Sequence, residues 1–215
     1  MKYILFDLDG TLTDPMEGIT KSVEYALNKF NISVKDRNDL ISFIGPPLID
    51  SFMEKYSFSK ERAVKAVAYY REYFSVTGIF ENKVYEGVIE MLSKLKSQGY
   101  LLILATSKPE TFAKQILEHF KLAKYFHFIA GATMDEKRSY KDQIIEYALD
   151  SINFNDTDFA CMVGDRCYDI LGGKKFGIKT VGVLYGYGEK EELENCQPDF
   201  IAEDINDLYN FLKNL

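Results

Sequence analysis

Cysteine and histidine, on which disulfide frameworks and zinc sites depend, are scarce in this sequence. Among 215 residues there are 3 cysteines and 2 histidines. The cysteines, Cys161, Cys167 and Cys196, are odd in number and lack the spacing of metal ligands. His119 and His127 are isolated in the sequence, so we expect structural roles for both. A reduced, cytoplasmic protein is the simplest interpretation.

Long hydrophobic runs and an excess of positive charge are also missing. The most apolar run, 100–105, is far shorter than the roughly 20 residues that span a bilayer. The apolar residues 4–6 are interrupted by Asp7 and Asp9, so we expect no signal-peptide core. With 26 Lys and Arg against 33 Asp and Glu, the net charge of −7 disfavours nucleic acids and anionic membranes as partners. A monomer is the default expectation.

Two nucleotide-binding fingerprints are absent as well. The sequence contains no G-x-x-x-x-G-K-[ST] loop, which disfavours an ATP-driven phosphotransferase of that type. Gly186-Tyr187-Gly188 follows a predicted strand, but Glu191 occupies the position where a dinucleotide fingerprint needs its third glycine.

What is present is an alternation of short apolar segments with helical patterns. This alternation predicts an α/β fold, a doubly wound, Rossmann-like parallel sheet covered by helices on both faces. The strands are apolar almost throughout, as expected for strands buried on both faces. The candidate strands are 3–8, 101–106, 126–130, 159–163 and 180–184.

One stretch interrupts the alternation, because residues 15–82 show helical patterns and no convincing strand. Its first helix is predicted to begin with Asp14 as the N-cap and Pro15 at the first helical position. An all-helical block between the first two strands predicts an inserted cap domain at 15–82. The α/β core then consists of 1–14 and 83–215.

Two carboxylates follow the first predicted strand closely. Asp7 and Asp9 are two residues apart, so we expect them to share a face at the carboxyl edge of the sheet, where ligands of such folds bind. Neighbouring carboxylates repel each other unless a cation lies between them. The alternative is a strand that ends in a polar turn, with Gly10 allowing the bend and both aspartates solvated.

A second strand, 159–163, also runs into an acidic segment. Asp165 and Asp169 are four residues apart at a predicted helix start, which places them on one face. A hard divalent cation held by carboxylates and water fits two such strand ends brought together. Taken alone, this pattern is equally typical of an N-cap aspartate with a solvated neighbour.

Two further positions suit a phosphate group. The second strand ends in Thr106 and Ser107, whose hydroxyl and N–H groups lie at a strand-to-helix junction. Residues 139–142 resemble a capping box, which puts Lys141 in a first helical turn, where the helix dipole disfavours a cation. That placement indicates a nearby anion, while ordinary capping and a solvated surface lysine are the alternatives.

Four motifs, in their order along the chain, resemble those of haloacid-dehalogenase-superfamily phosphatases. They are the Asp7-Leu8-Asp9-Gly10-Thr11 run, Thr106-Ser107 at a strand end, Lys141, and the segment 164–169. With the cap, the resemblance covers nearly the whole chain, and the phosphoglycolate-phosphatase-like enzymes are the subgroup it fits best. It implies a magnesium-dependent phosphomonoester hydrolase that acts on a small phosphorylated metabolite, such as phosphoglycolate or a 5′-nucleotide.

The resemblance also assigns roles to the acidic residues. Asp7 would be the nucleophile that forms an aspartyl-phosphate, and Asp9 the general acid and then the general base. Mg²⁺ would be held by the Asp7 carboxylate, the Asp9 backbone carbonyl and Asp165. Asp169 would orient this cluster from its edge.

For the phosphoryl oxygens, the resemblance implies binding by Thr106 and Lys141 together with the backbone N–H groups of Gly10 and Ser107. Substrate choice is predicted to lie in the cap, in an apolar loop that its prolines hold outside the flanking helices. The loop residues are Phe43, Ile44, Gly45 and Pro46. The alternative for this loop is a helix-breaking turn without contact to substrate.

Three other functions remain open for such a chain. A phosphomutase would keep all four motifs and differ in its cap contacts. A carbon–halogen hydrolase of the same fold is disfavoured by Asp9, because halide departure needs no proton donor. A non-catalytic metabolite-binding protein would more naturally have lost Asp7, Asp9 or Lys141, and the sequence retains all of them.

Overall fold

A computed structural model describes residues 1–155 and 159–215. Short 3-10 turns lie at Arg37–Phe43, Gly78–Phe80 and Ala123–Tyr125. In chain order the strands and α-helices are β1 (Lys2–Phe6), β2 (Thr13–Asp14), α1 (Met16–Asn28), α2 (Leu48–Tyr56), α3 (Lys60–Phe74), β3 (Lys83–Val84), α4 (Val88–Ser97), β4 (Leu101–Pro109), α5 (Glu110–His119), β5 (Phe126–Ala132), α6 (Lys141–Ser151), β6 (Phe159–Gly164), α7 (Cys167–Lys175), β7 (Lys179–Val183), α8 (Lys190–Cys196), β8 (Phe200–Ala202) and α9 (Ile205–Leu212).

The chain divides into two compact units. One, the core, consists of Met1–Asp14 and Val84–Leu215, and the other, the insert, of Pro15–Lys83. The sequence prediction for the insert was 15–82. Within the insert, α1 packs against α3, and α3 against α2. No helix in the described part of the chain is both long and apolar enough to cross a membrane.

The main sheet of the core has the strand order β5-β4-β1-β6-β7-β8. Every pairing in it is parallel, from β4 with β5 at one side to β7 with β8 at the other. The α/β fold with a parallel, Rossmann-like sheet is therefore confirmed. Because β1 lies between β4 and β6, the strand order reverses at β1, and the carboxyl ends of these three strands border the crevice where such folds bind ligands.

Burial of apolar side chains on both faces holds β1 in place. Ile4 and Leu5 point to opposite faces of the sheet, and both are fully buried. Leu5 belongs to a core cluster in which Ile144 and Ala148 of α6 pack against Ile103 of β4. This packing of α6 on the sheet fixes the first turn of the helix near the carboxyl ends of the strands.

The first strand is shorter than predicted and ends at Phe6. Leu8 is fully buried, which extends the apolar pattern, but its carbonyl accepts hydrogen bonds from the N–H groups of Leu12 at 2.8 Å and Thr13 at 3.0 Å. Residue 8 therefore begins a tight loop. The prediction failed because burial alone does not distinguish a strand from a loop that folds back into the core.

One expectation needs correction, and one strand was missed. Pro15, not Asp14, is the N-cap of α1, and no side chain caps this helix end. The Asp14 carboxylate instead accepts a hydrogen bond from the Tyr187 hydroxyl. The edge strand β8 was not predicted, because it has only three residues and only Ala202 among them is buried.

Candidate active site

The acidic residues that follow β1 and β6 meet at the carboxyl edge of the sheet. Asp7 comes directly after β1, and its N–H still donates to the carbonyl of Val163 in β6 at 2.9 Å. Asp165 follows the last residue of β6, and Asp169 lies in the first turn of α7. All three aspartates are buried, and each offers an oxygen within 4.8 Å of the others. We call these three residues the acidic cluster.

Lys141, the first residue of α6, balances part of this negative charge. Its ammonium nitrogen Nζ lies 2.9 Å from Asp7 Oδ2 and 2.7 Å from Asp169 Oδ1, and it donates to the carbonyl of Ala105 at 3.0 Å. Burial lowers the pKa of Lys141, but the carboxylates of Asp169 and Asp7 outweigh this effect and raise the pKa to about 12. The lysine is therefore a fixed buried cation, as its unfavourable position against the helix dipole indicated.

The acidic cluster has the donors and the charge that a divalent cation requires. Burial, together with the carboxylates of Asp169 and Asp7, raises the pKa of Asp165 to about 8. When ionised, three carboxylates and one ammonium leave two negative charges uncompensated in a site shielded from water. Oxygen donors and a net charge of this sign fit Mg²⁺, which prefers carboxylates and water.

Asp9 has its own cationic partner. Lys108 Nζ lies 2.5 Å from Asp9 Oδ2, and both side chains are largely buried. Asp9 Oδ1 is buried without a hydrogen-bond partner among residues 1–155 and 159–215. Burial raises the pKa of Asp9, although the Lys108 ammonium opposes this shift. The raised pKa favours the protonated form that a proton donor needs.

The predicted phosphate-binding residues lie nearby in β4 and in the loop after β1. The buried hydroxyl of Thr106 accepts a hydrogen bond from the N–H of Lys108 at 3.3 Å, and Ser107 is half-buried. The N–H of Gly10 donates to the carbonyl of Thr13 at 2.8 Å, so binding of phosphate by this N–H would require that bond to be exchanged, and the role stays a prediction.

Gly10 also has a steric role. Its φ of +79° favours glycine, and a Cβ at this position would lie 2.1 Å from Asp165 Oδ2. The residue is needed so that the loop after β1 can approach the acidic cluster this closely.

The predicted specificity loop belongs to the insert. Phe43 and Ile44 are buried. The centroid of the Phe43 ring lies 5.0 Å from that of the Phe52 ring, within the insert. Gly45 and Pro46 are half-buried. These contacts give Phe43 a packing role, and its role in choosing substrates stays a prediction.

Sequence reasoning missed two contacts of the site. The pairing of Lys108 with Asp9 joins residues that are far apart in the sequence, and the only signal for it was a lysine just after Thr106-Ser107. The N–H of Tyr187 donates to Asp165 Oδ2 at 2.8 Å, in a segment that the sequence offered only as an incomplete dinucleotide fingerprint. The side chain of Arg166, which follows Asp165 directly, pairs with Glu192 at 3.0 Å.

Comparison with known proteins relates the chain to one hydrolase family. A family model described as haloacid dehalogenase-like hydrolase matches residues 4–183. A 5′-nucleotidase of Pseudomonas aeruginosa is 44% identical over 211 residues, which cover 98% of this chain and 95% of that protein. The pyrophosphatase PpaX of Halalkalibacterium halodurans is 32% identical over 209 residues, covering 97% of this chain and 95% of that protein.

Among solved structures, the fold is similar to that of a predicted phosphatase from Clostridium acetobutylicum. The TM-score is 0.97 and the sequence identity 52%, with 100% of this chain and 99% of that chain covered.

The buried ion pairs of Lys141 predict a large effect on stability. Lys141→Met keeps the length of the side chain but leaves Asp7 and Asp169 buried without their cation. We expect the free energy of unfolding in EDTA, measured by urea titration, to fall by about 3–5 kcal/mol. The control is Lys175→Met, which removes the exposed pair with Asp142 and is expected to cost about 1 kcal/mol or less. Equal losses in the two variants would contradict the buried-pair interpretation.

Proposed function

The chain belongs to the haloacid dehalogenase-like hydrolase family and is one of its phosphatases, and from this premise we propose that it hydrolyses small phosphomonoesters through an aspartyl-phosphate at Asp7. The observation that supports this most strongly is the arrangement of two carboxylates with separate cations. Asp7 is paired with Lys141 and Asp9 with Lys108, and both pairs are largely buried.

In the first step, a carboxylate oxygen of Asp7 attacks phosphorus, and the bond from phosphorus to the leaving oxygen breaks. Asp9 donates its proton to that oxygen, so that the alcohol leaves neutral. Burial shifts the pKa of Asp9 upward, which is the direction that a proton donor needs. Asp7 carries the phosphoryl group at the end of this step.

In the second step, water attacks the phosphorus of the aspartyl-phosphate. Asp9, now ionised, accepts a proton from the water, and the bond from phosphorus to the Asp7 oxygen breaks. Inorganic phosphate leaves and Asp7 is again a free carboxylate. The same residue serves first as acid and then as base, so each turnover restores its protonation state.

Phosphoryl oxygens carry negative charge throughout, and this chain supplies donors for them. We assign this role to the Thr106 hydroxyl, the Ser107 N–H and the Lys141 ammonium. Asp7, Asp169 and the Ala105 carbonyl hold Lys141 in place and occupy its three N–H groups. Lys141 therefore acts on the phosphoryl oxygens as a fixed positive charge, or donates to one of them by exchanging one of these contacts.

The acidic cluster is assigned to Mg²⁺, with Asp7, Asp165 and the backbone carbonyl of Asp9 as ligands from this chain. When bound, the ion would neutralise phosphoryl charge as a Lewis acid. Asp169 is assigned a positioning role, because it holds Lys141 at 2.7 Å and accepts the N–H of Arg166 at 3.1 Å.

For the substrate, we infer a 5′-nucleotide or a metabolite of similar size. The support is the name of the Pseudomonas aeruginosa relative, 5′-nucleotidase, which is 44% identical over nearly the whole chain. Phosphoglycolate, sugar phosphates and pyrophosphate present the same kind of phosphoryl group and belong in the same test. We further propose a cytoplasmic location, which the free thiols of Cys161, Cys167 and Cys196 support.

The nucleophile assignment predicts the effect of a nearly isosteric change. Asp7→Asn is expected to lower kcat for p-nitrophenyl phosphate by at least about a thousandfold, because an amide cannot attack phosphorus. The exposed Asp150→Asn on α6 is the matched control and should keep wild-type turnover. Circular dichroism checks that both variants are folded. A folded Asp7→Asn variant with more than a few per cent of wild-type turnover would refute the assignment.

The metal assignment predicts a dependence of both activity and stability on Mg²⁺. We expect EDTA to abolish hydrolysis, Mg²⁺ to restore it, and Ca²⁺ to inhibit, since its larger and looser coordination shell misplaces the reacting groups. Mg²⁺ should also raise the Tm of the metal-free protein, by stabilisation of about 2.7 kcal/mol at 100 times its Kd. In Asp165→Asn this rise should shrink markedly, whereas Asp150→Asn should behave as wild type. Full activity in excess EDTA would contradict the assignment.

The specificity loop predicts unequal effects across substrates. Phe43→Ala or Ile44→Ala should change kcat/KM differently for a 5′-nucleotide, phosphoglycolate and p-nitrophenyl phosphate, with the smallest ester changing least. Ile79→Ala is a control for lost packing, since Ile79 is also buried in the insert. It should affect all substrates in the same proportion. Proportional effects in the Phe43 and Ile44 variants would place substrate choice elsewhere.

A further inference from the structure

The segment Gly186-Tyr187-Gly188, here the GYG segment, lies directly against the side chain of Asp165. The N–H of Tyr187 donates to Asp165 Oδ2 at 2.8 Å, which is the length of a strong hydrogen bond to a carboxylate. Asp165 is almost completely buried, so water does not compete for this oxygen. The GYG segment thus supplies a donor to a residue that we assign to the metal.

Both glycines are required by how closely the segment approaches. A Cβ at Gly186 would lie 2.3 Å from Asp165 Cβ and 2.3 Å from the carbonyl oxygen of Gly10. A Cβ at Gly188 would lie 1.8 Å from the backbone oxygen of Asp165. These distances are far below van der Waals contact, so any other residue would displace Asp165 or the segment itself.

The segment is also anchored independently of Asp165. The Tyr187 hydroxyl donates to the Asp14 carboxylate, and the Tyr185 hydroxyl donates to the carbonyl of Thr11 at 3.2 Å. The ring of Tyr85 packs edge-on at 5.3 Å from Tyr185. The two hydrogen bonds tie the GYG segment and the preceding Tyr185 to residues 11 and 14, which follow β1. The Tyr187 N–H therefore has a fixed position that does not depend on where the carboxylate lies.

A carboxylate in this position needs such a donor. The carboxylates of Asp7 and Asp169 lie close to Asp165, and their repulsion favours rotation of the Asp165 carboxylate away from them. The N–H of Tyr187 opposes this rotation, because its hydrogen bond holds Oδ2 and with it the plane of the carboxylate. Within residues 1–155 and 159–215, the other oxygen, Oδ1, has only the Thr11 hydroxyl at 3.5 Å, a weak contact that leaves it available to a cation.

We propose that the GYG segment is a positioning element for Mg²⁺, in which the Tyr187 N–H holds Asp165 Oδ2 so that the remaining oxygen faces the cation shared with Asp7. The proposal rests on the function proposed above. Partners that orient a metal ligand typically change affinity or activity by about 10- to 100-fold when they are removed. The effect should appear in the affinity for Mg²⁺ more than in the chemical step at saturating Mg²⁺.

The test removes the N–H and leaves the side chain unchanged. Incorporation of the α-hydroxy acid analogue of tyrosine at position 187 replaces the amide by an ester. The matched control carries the same ester at Tyr125, whose N–H donates to the carbonyl of Leu122 at 3.0 Å in the turn that precedes β5. Each ester removes one hydrogen bond that a backbone N–H donates. Only the ester at position 187 removes the bond to Asp165.

Two quantities are measured for each protein: the Kd of Mg²⁺ by calorimetry without substrate, and the Mg²⁺ concentration for half-maximal hydrolysis of p-nitrophenyl phosphate. We expect both to rise about tenfold or more in the Tyr187 ester. They should stay within about twofold of wild type in the Tyr125 ester, because that ester weakens one remote turn only.

Unchanged Mg²⁺ affinity in the Tyr187 ester, or equal weakening in both esters, would overturn the proposal. If the wild-type enzyme itself shows no Mg²⁺ dependence, the proposed function fails, and this outcome is recognisable before any variant is compared.

If the Tyr187 ester does not fold, Gly186→Ala decides the question, with Gly99→Ala as control. At Gly99, whose φ is +89°, an added Cβ meets nothing within 4 Å, so alanine there strains only the local backbone. If Mg²⁺ binds more weakly to Gly186→Ala than to Gly99→Ala, the proposal is supported. If the two variants bind Mg²⁺ equally well, the proposal is refuted.

Discussion

Burial of negative charge at the carboxyl edge of the sheet is the constraint on which the rest of the site depends. Asp7, Asp165 and Asp169 lie within reach of one ion and are shielded from water. Such a cluster is unstable unless cations and donors surround it. Lys141 meets part of this need, and a divalent cation would meet the remainder. The fold supplies the positions, because β1 and β6 are adjacent and Lys141, the first residue of α6, reaches Asp7 and Asp169.

The two carboxylates nearest β1 acquire different properties from different partners. The Asp7 carboxylate accepts the N–H of Leu8 at 2.7 Å and pairs with Lys141 at 2.9 Å, and these two contacts orient it. Asp9 pairs with Lys108 through one oxygen, while the other is buried, and burial raises its pKa. Two aspartates separated by one residue can therefore serve as nucleophile and as proton donor within one reaction.

The sequence was most informative where a strand ends in a polar residue. Asp7, Asp165 and Thr106 follow apolar runs, and the parallel topology implied by alternation brings such ends to one edge. Lys141 was identified because a lysine in a first helical turn is electrostatically out of place. These inferences needed only local patterns and one general rule about where parallel sheets bind ligands.

Contacts between segments far apart in the chain were not predictable in this way. Nothing local connects Lys108 with Asp9, or Tyr187 with Asp165, since each pairing depends on loop conformations that only the folded core defines. Gly10 was predicted for its backbone N–H, yet the structure uses its missing side chain to admit Asp165. A glycine in a sequence indicates a position where another group comes close to the backbone, but it does not show which atom that is.

The most direct measurement is chemical identification of the phosphorylated residue. Asp9→Asn enzyme is mixed with p-nitrophenyl phosphate and Mg²⁺, because this leaving group needs no proton and the missing base slows hydrolysis of the intermediate. Quenching within milliseconds and reduction with borohydride convert an aspartyl-phosphate to homoserine, which mass spectrometry locates in the tryptic peptide 3–21. Homoserine at position 7, dependent on substrate, is the predicted result. An unmodified Asp7 while p-nitrophenol is released in a burst, or homoserine at any other aspartate, would contradict Asp7 as the nucleophile.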